Sequence, residues 1–419
     1  MSGLIRSFLA PANTPETQFP LNNLPCGVFS DAEPPRCGMA IGDSILDVQA
    51  LEARGLLRFG GTLQTGEWTE FMALGPDAWS RLRHDVTGLL AEGSPQEAAV
   101  RPFLRPQEGV VLHMPFRVAE YTDFYASRHH ATNVGTMFRG VDNALPPNWL
   151  HMPIGYNGRA SSVVVSGTDV RRPWGQVKGP DDSAPRFAPS ARFDIELELG
   201  AVVGVASDHP LSVTEADAAI FGYVLLNDWS ARDIQAWEYQ PLGPFQAKAT
   251  ATSISPWIVM SEALRPFRCD TPARVVPLPD HLCDAGPMLF DIGLEAALAP
   301  AGKAETIITR TNYNEMYYSA AQQLAHHTTC GCPMRTGDLL GSGTISGPQK
   351  KNRGSLLELS WGGKEPLTLD TGEPRSFIED GDRLTLRGAA TGDGYLVGFG
   401  SCTGRVLPAV NDPYARDET

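Results

Sequence analysis

The sequence has no long apolar run, no excess of basic residues and no cysteine framework, and each absence excludes a class of protein. No stretch of the 419 residues is apolar over the length that crosses a bilayer, and the first residues lack a basic segment followed by a long apolar one. We therefore expect no membrane span and no signal peptide. Lys and Arg number 34 against 48 Asp and Glu, a net charge of −14, which argues against a nucleic-acid partner because phosphates are bound by clustered basic side chains.

The seven cysteines are an odd number and are scattered along the chain. Such a distribution does not predict a disulfide framework, and free thiols in a reducing compartment are the simpler interpretation. Together with the absence of a signal peptide, this favours a cytoplasmic protein. The acidic charge is compatible with bound divalent cations, although many cytoplasmic enzymes are acidic.

The chain is long and rich in turn residues. Its 419 residues exceed what one hydrophobic core usually organises, so we expect two domains. Hydrophobic residues make up 42%, with 42 Gly and 34 Pro, which is typical of a globular, strand-rich protein. Short apolar runs broken by turns indicate a small β domain at the N-terminus. We place the boundary near residue 117, with domains at 1–117 and 118–419.

Two helices are predicted inside the first domain. The first is indicated by apolar residues at helical spacing, namely Trp79, Leu82, Val86 and Leu89. The second is predicted to start at Ser94-Pro95-Gln96-Glu97, where Ser and Glu have the spacing of a capping box and Pro falls in the first turn.

Strand-like runs dominate the larger domain, at residues 161–165, 221–226 and 356–359. The clearest helix there is indicated by a shared face of Met316, Ala320, Leu324 and His327. Gly392–Gly400 is interpreted as a Gly-rich hairpin leading into a strand, and Asn411–Thr419 as a loose polar tail. The fold class expected is mainly β with few helices.

The segment Phe193–Leu199 alternates apolar residues with Asp194, Glu196 and Glu198. In a strand, this period of two places the three carboxylates on one face. A solvated acidic face is the commoner outcome. The alternative is a site for a hard cation, because carboxylates at i and i+2 lie about 7 Å apart at their Cα atoms and can converge on Ca²⁺ or Mg²⁺.

A second candidate ligand, Asp228, follows an apolar strand and precedes a predicted helix. It could face a cleft at the end of the strand, or it could cap the first turn of the helix, since Asp is a favoured N-cap. Four side chains that could bind carboxylates or oxyanions follow, although each could also be an ordinary surface residue: Arg232, Gln235, Tyr239 and Lys248.

The stretch Tyr121–Asn133 gathers Asp123, Tyr125, His129 and His130. Histidine is the natural general base near neutral pH, but a lone histidine is more often a surface or capping residue. The residues themselves leave open which of the two histidines has a chemical role. Arg139 and Tyr156 follow soon after.

Two other motifs invite interpretation. His326-His327-Thr328-Thr329-Cys330-Gly331-Cys332 offers four zinc ligand types, but adjacent histidines at a helix end hardly face one metal together with both thiols. Gly341–Gly347 lacks the G-x-S-x-G spacing of a nucleophile elbow, which leaves a serine hydrolase mechanism without support. Thr344 could still offer a hydroxyl to a ligand.

Several long segments, in order along nearly the whole chain, resemble the fumarylacetoacetate hydrolase family. They include Asn23–Ser30, Tyr121–Tyr125, His130–Gly135, Gly158–Ser162, Asn227–Gln235, Pro241–Phe245 and Ser342–Gly347. The resemblance implies a small N-terminal SH3-like barrel, a larger C-terminal β-roll and a homodimer.

The resemblance also implies a metal centre. It makes Asp123, Glu196, Glu198 and Asp228 the ligands of Ca²⁺ or Mg²⁺, and it associates Lys248 and Thr252 with the cation site. It selects His130 as the general base and Glu358 as the carboxylate that orients it. The implied substrate contacts are Tyr125, Arg139, Tyr156, Gln235, Tyr239 and Thr344.

The activity implied is hydrolysis of the carbon–carbon bond of 4-fumarylacetoacetate to fumarate and acetoacetate, the last step of tyrosine and phenylalanine breakdown. His130 would activate water, while Arg232, Gln235 and Lys248 would stabilise the oxyanion. One alternative is isomerisation, decarboxylation or hydration of a 2-oxo acid on the same scaffold. The other is a non-catalytic, Ca²⁺-stabilised protein that binds an acidic ligand.

Overall fold

The structure is a computed structural model that describes residues 3–412, 414 and 415. Of the segments interpreted above, residues 1 and 2 of the N-terminus and residues 413 and 416–419 of the polar tail lie outside the described residues. Among the described helices, none is both long and apolar enough to cross a membrane.

Strands outnumber helices along the described chain, as the composition predicts. In chain order the strands are β1 Cys26–Ser30, β2 Arg36–Ile41, β3 Ser44–Asp47, β4 Leu104–Pro106, β5 Val111–His113, β6 Tyr121–Phe124, β7 Gly155–Asn157, β8 Val163–Val165, β9 Val170–Arg171, β10 Trp174–Val177, β11 Arg186–Pro189, β12 Phe193–Asp194, β13 Leu197–Val203, β14 Ile220–Asp228, β15 Ser230–Ala231, β16 Thr252–Ile254, β17 Trp257–Met260, β18 Arg268–Cys269, β19 Leu289–Phe290, β20 Gly293–Ala299, β21 Thr306–Asn312, β22 Leu339–Gly341, β23 Leu367–Thr368, β24 Pro374–Arg375, β25 Arg383–Thr391 and β26 Leu396–Leu407. The predicted class, mainly β, is confirmed.

The helices are mostly short. They are α1 Val48–Ala53, α2 Thr69–Met72, α3 Pro76–Leu90, α4 Glu97–Val100, α5 Arg128–Arg139, α6 Val213–Ala219, α7 Arg232–Glu238, α8 Ser261–Leu264, α9 Ala320–Thr328 and α10 Leu356–Leu359. Helix α3 buries the apolar face that its spacing predicts. Helix α9 confirms the helix predicted from Ala320, Leu324 and His327. Its N-cap is Ser319, so Met316, which was expected on the same helical face, lies before the helix.

A thirteen-stranded sheet runs through both regions of the chain. Its order is β4-β3-β2-β1-β17-β14-β13-β22-β6-β7, with β5 beside β1 and β16 between β14 and β8. Because β1 pairs with β17, the N-terminal strands continue directly into the central ones. A second sheet has the order β21-β20-β25-β26-β9. Among the described strands, no sheet closes into a barrel.

Strands β13 and β14 lie at the centre of the larger sheet, and every residue in them is buried. Strand β22 joins them to β6, pairing antiparallel with β13 and parallel with β6. In that register Gly341 lies beside both Gly200 and Asp123. Polar side chains on these central strands therefore lie inside the protein.

Two predictions of local structure are wrong. Residues 356–359 form the helix α10 and not a strand, because the Ser355 hydroxyl accepts the Glu358 backbone N–H and the Asp194 carboxylate accepts further N–H groups of the first turn. The capping box at Ser94 does not form. Helix α4 starts at Glu97 after Gln96, and its N-cap makes no side-chain hydrogen bond.

Candidate metal centre and catalytic cavity

Four buried carboxylates meet where the central strands end. Asp123 lies on β6, Glu198 on β13 and Asp228 at the end of β14, while Glu196 precedes β13. One oxygen from each lies within 4.8 Å of the others, and all four residues are at most 4% exposed. The structure thus brings together the four residues that the resemblance implies as metal ligands.

The strand predicted over residues 193–199 is interrupted at residues 195 and 196. Glu196 and Glu198 join the carboxylate cluster, whereas Asp194 lies outside it and pairs with Arg232. The expectation that three carboxylates share one face is therefore wrong for Asp194. The alternative of a solvated acidic face does not apply, because all three side chains are buried.

The oxygen atoms of this cluster suit a hard divalent cation. Among the described residues, Asp123 Oδ1 and Glu198 Oε1 are buried and have no hydrogen-bond partner. Burial and the neighbouring Asp228 raise the pKa of Asp123 well above its usual value, and burial together with Asp123 does the same for Glu198. Unpaired carboxylate oxygens at short mutual distances are the ligands that Ca²⁺ and Mg²⁺ prefer, so the residues present fit a bound cation.

Lys248 neutralises part of the negative charge. Its Nζ donates to Asp228 Oδ2 at 2.7 Å and also to Glu196. Burial would lower the pKa of Lys248, but the charges of Asp228 and Glu196 raise it instead. The Thr252 hydroxyl donates to Asp228 Oδ1 at 3.1 Å, so both Lys248 and Thr252 lie beside the cluster, as expected.

Asp228 does not cap a helix. Helix α7 begins at Arg232 after Ala231, which provides no side-chain cap. Besides Lys248 and Thr252, the Asp228 carboxylate accepts the Tyr156 hydroxyl at 3.0 Å. Its side chain therefore serves the buried cluster, which decides between the two interpretations that its local sequence leaves open.

His130 and Glu358 form a buried pair. Nδ1 of His130 lies 2.6 Å from Glu358 Oε2, and the two side chains are at most 4% exposed. The other ring nitrogen, Nε2, lies 4.0 Å from Glu196 Oε1. His129, by contrast, is partly exposed and lies 3.6 Å from the surface carboxylate of Glu315. The geometry therefore distinguishes the two neighbouring histidines.

Glu358 is held from three further directions. It accepts hydrogen bonds from Ser346 Oγ, Ser355 Oγ and Asn133 Nδ2 at 2.9, 2.8 and 2.8 Å. Burial would raise the pKa of Glu358, but the adjacent His130 and these hydrogen bonds hold it below its usual value. A carboxylate fixed and ionised in this way can orient an imidazole and stabilise its protonated form.

A cavity of about 420 Å³ is lined by the histidine and by part of the carboxylate cluster. All six residues expected to contact substrate line it: Tyr125, Arg139, Tyr156, Gln235, Tyr239 and Thr344. Asp123, His130, Glu196, Arg232 and Lys248 line it as well. Glu198, Asp228, Thr252 and Glu358 do not line the cavity.

Arg232 and Arg139 both line the cavity, but their guanidinium groups are held in different ways. Arg232 is buried and pairs with Asp194 at 2.8 Å and Glu196 at 2.7 Å, while its Nη1 donates to Gln235 Oε1 at 3.1 Å. Arg139 is exposed and donates to the backbone carbonyls of Asn143 and Ala144 at 3.1 and 2.7 Å. Arg232 is thus fixed, whereas Nη1 of Arg139 donates to no group among the described residues and is available to a ligand.

The His326 to Cys332 segment does not assemble a metal site. His327 Nε2 lies 3.0 Å from the Thr122 hydroxyl, and Cys330 is exposed. Within the described part of the chain, only the four-carboxylate cluster brings three or more potential ligands close enough to share a metal ion.

Sequence reasoning missed several residues around the site. Asn133 and Ser346 support Glu358 from outside its helix, and no local pattern predicts them. Ser355 could have been found, because Ser355-Leu356-Leu357-Glu358 has the S-x-x-E spacing of a helix start. The loop Pro241–Pro244 lines the cavity, and Leu242 in it is 94% exposed.

A buried carboxylate cluster beside an oriented histidine, both opening onto one cavity, defines an enzyme active site that could hold a metal ion. The chain matches the model described as fumarylacetoacetate (FAA) hydrolase C-terminal over residues 120–407, and the model described as fumarylacetoacetase N-terminal over residues 22–115. The protein belongs to the fumarylacetoacetate hydrolase family.

Individual relatives extend this likeness over nearly the whole chain. The fumarylacetoacetase of Arabidopsis thaliana is 44% identical over 420 residues, covering 97% of this chain and 99% of that protein. The fumarylacetoacetase of Homo sapiens is 46% identical over 410 residues, covering 94% and 97%. That of Caenorhabditis elegans is 46% identical over 420 residues, covering 97% and 100%.

Solved structures with low sequence identity share the fold. A fumarylacetoacetate hydrolase from Exiguobacterium antarcticum has a TM-score of 0.53 at 14% identity, covering 92% of this chain and 99% of that one. A 5-carboxymethyl-2-hydroxymuconate delta-isomerase from Mycobacterium smegmatis has a TM-score of 0.50 at 15% identity, covering 93% and 100%. The fold alone therefore does not select one reaction.

Proposed function

We propose that this protein hydrolyses the carbon–carbon bond of 4-fumarylacetoacetate to fumarate and acetoacetate, the last step of tyrosine and phenylalanine breakdown. The observation that carries the proposal is the position of His130, which is fixed by Glu358 on one side and lies 4.0 Å from a cluster carboxylate on the other. The relatives that are 44–46% identical over nearly the full chain are named fumarylacetoacetases, which supports the same activity here.

Hydrolysis begins with activation of water. His130 accepts a proton from water at Nε2, and Glu358 stabilises the resulting imidazolium at Nδ1. The water oxygen bonds to the ketone carbon of the fumaryl group, which becomes a carboxylate carbon of fumarate. Arg232, Gln235 and Lys248 line the cavity and stabilise the oxyanion that forms on that carbonyl.

The carbon–carbon bond then breaks, and its electron pair passes to the acetoacetyl fragment. The proton held by His130 is transferred to the departing carbon, which restores the neutral imidazole. We propose Ca²⁺ or Mg²⁺ as the ion held by Asp123, Glu196, Glu198 and Asp228. When bound, this cation supplies Lewis-acid stabilisation of negative charge on the diketone oxygens.

The remaining cavity residues position the substrate. Arg139 retains a guanidinium nitrogen for a terminal carboxylate, and the hydroxyls of Tyr239 and Thr344 offer further hydrogen bonds. Tyr156 and Tyr125 already donate within the protein, to Asp228 Oδ2 and to the Ala131 carbonyl at 3.3 Å, so they contact a ligand chiefly through their rings or as acceptors.

The nearest alternative is a reaction of a 2-oxo acid on the same fold, such as isomerisation, decarboxylation or hydration. The oriented His130–Glu358 pair favours hydrolysis, because it provides a general base for water. A non-catalytic binding protein would leave this pair without a role. Incubation with fumarylacetoacetate, followed by product analysis, tests the proposal: fumarate and acetoacetate support it, and an unchanged diketone contradicts it.

We also propose the finer architecture and assembly that the family resemblance implies. A boundary near residue 117, giving domains 1–117 and 118–419, is supported by the gap between the matches at 22–115 and 120–407. The strand order β5-β1-β2-β3-β4 supports an SH3-like N-terminal domain. A β-roll, a homodimer and a cytoplasmic location stay predictions, and light scattering tests the dimer.

A further inference from the structure

Asp194 lies outside the metal cluster, yet its carboxyl group is completely buried. It occupies β12, which pairs with β15 so that Asp194 lies opposite Ser230. A buried carboxylate is costly unless hydrogen-bond donors surround it. The surroundings of Asp194 show what this carboxylate organises.

Each oxygen of Asp194 accepts two N–H groups. Oδ1 accepts the backbone N–H of Leu356 at 2.8 Å and that of Ile195 at 2.7 Å. Oδ2 accepts the backbone N–H of Leu357 at 3.0 Å and the side-chain Nε of Arg232 at 2.8 Å. Four donors from three separate segments therefore converge on one carboxylate.

Two of these segments carry the chemistry assigned above. Leu356 and Leu357 form the first turn of α10, and Glu358 is the next residue of the same turn. Because the Asp194 carboxylate fixes this turn, it also fixes the direction from which Glu358 reaches His130. It does so without touching the cavity.

The other segment presents Arg232. Its Nε donates to Asp194 Oδ2, while Nη2 lies 2.7 Å from Glu196 Oε1 and Nη1 donates to Gln235 Oε1. An arginine held through Nε presents its two remaining nitrogens in a fixed plane. The direction of the guanidinium in the cavity therefore depends on Asp194.

We propose that Asp194 is a positioning residue that sets two reaction groups at once, the Arg232 guanidinium and the Glu358–His130 pair. The proposal rests on the proposed function for its effect on turnover. It assigns Asp194 no contact with the substrate or the cation. Its removal should lower kcat and leave metal affinity and KM nearly unchanged.

The test compares Asp194→Asn with a matched control elsewhere in the fold. Asp382 is also buried, bonds to Arg375 Nε and Nη2 at 2.9 and 3.0 Å, and accepts the Glu379 backbone N–H at 3.0 Å, but it lies away from the cavity. Asp382→Asn therefore removes the same kind of buried charge without reaching the site. Asp194→Ser, which shortens the side chain, provides a second variant if Asp194→Asn does not fold.

In Asp194→Asn an NH₂ group replaces one oxygen and opposes the N–H donors around it, so we expect kcat with fumarylacetoacetate to fall about 100-fold. The KM and the Ca²⁺ dissociation constant should stay within about threefold, and Asp382→Asn should keep the wild-type kcat. A folded Asp194→Asn with wild-type kcat would overturn the proposal. Failure of both Asp194 variants to fold, with Asp382→Asn folded, would also overturn it, because Asp194 would then be required for folding itself.

A second readout separates this proposal from the proposed function. The His130 Nδ1 proton, shared with Glu358, should give a downfield proton NMR resonance in the wild type and in Asp382→Asn. We expect this resonance to shift or disappear in Asp194→Asn. If the wild type does not turn over fumarylacetoacetate, the proposed function fails, and the resonance alone tests the role of Asp194. A shift or loss of the resonance in Asp194→Asn supports that role, and an unchanged resonance overturns it.

Discussion

His130 Nδ1 lies 2.6 Å from Glu358 Oε2, and this contact joins the start of α5 to the short helix α10. The two residues are 228 positions apart in the sequence. Because the carboxylate occupies Nδ1, Nε2 is the nitrogen left to act in the cavity. The reaction proposed for this protein depends on that orientation.

Replacing Glu358 with Gln should lower kcat by at least about 100-fold, because the neutral amide neither stabilises an imidazolium nor fixes the ring tautomer. Steady-state kinetics with fumarylacetoacetate measure the effect. Glu315→Gln is the matched control, since Glu315 lies 3.6 Å from the neighbouring His129 at the surface. Equal activity of the two variants would contradict the role given to Glu358.

Replacing Glu198 with Gln should weaken cation binding at least tenfold, because it removes a charged ligand with an unpaired buried oxygen. Isothermal titration of metal-free protein with Ca²⁺ and Mg²⁺ gives the dissociation constants. In the wild type, cation at 100 times its dissociation constant should stabilise the fold by about 2.7 kcal/mol. Glu295 is a partly exposed carboxylate outside the cluster, paired with Arg310 and Arg387, so Glu295→Gln should bind cation normally. An unchanged affinity in Glu198→Gln would argue against the cluster as the metal site.

Replacing Lys248 with Met should destabilise the metal-free protein by about 3–5 kcal/mol, because it leaves Asp228 buried without its cation partner and Glu196 with Arg232 alone. Urea denaturation measures the free energy of unfolding. Lys350→Met removes an exposed pair with Glu365 and should change stability by less than about 0.5 kcal/mol. A Lys248 variant as stable as the Lys350 variant would show that the buried pair is not needed.

Replacing Gly341 with Ala should disrupt the metal cluster itself. A Cβ atom at this position would lie 2.6 Å from Asp123 Oδ1 and 3.1 Å from Glu198 Oε2. We expect Ca²⁺ affinity to fall at least tenfold, as measured by calorimetric titration, because ligand oxygens must move. Gly88→Ala on α3 meets no atom within 4 Å and should leave Ca²⁺ affinity unchanged. Normal affinity in Gly341→Ala would contradict the packing described around the ligands.

Local patterns in the sequence predict elements that depend on local physics. The spacing of Trp79 and Leu82 predicts α3 correctly, because a helix that buries one face needs apolar residues at that period. The apolar run 221–226 likewise predicts β14. Residues 356–359 are apolar enough for a strand, but Ser355 and the distant Asp194 satisfy the N–H groups of a helical turn instead. The spacing of Ser355 and Glu358 is a local signal of a helix start, but the contact with Asp194 leaves none.

In the site, too, some features are indicated by local sequence and others only by the fold. Alternating acidic residues indicate a candidate cation site, but only the fold separates Asp194 from Glu196 and Glu198, because the chain leaves the strand between them. The choice of His130 over His129 comes from family resemblance and not from local sequence. In the structure, it follows from burial against Glu358, a residue far away in the chain.

The most direct test of the account is one assay on three samples: wild type, His130→Ala and metal-stripped wild type. Each is incubated with fumarylacetoacetate, and loss of the diketone enol absorbance is followed together with fumarate and acetoacetate formation. The account predicts turnover by the wild type, loss of turnover in His130→Ala, and loss in the stripped protein that returns when Ca²⁺ or Mg²⁺ is added. Folded, metal-loaded wild type that leaves the diketone intact would contradict the hydrolase function.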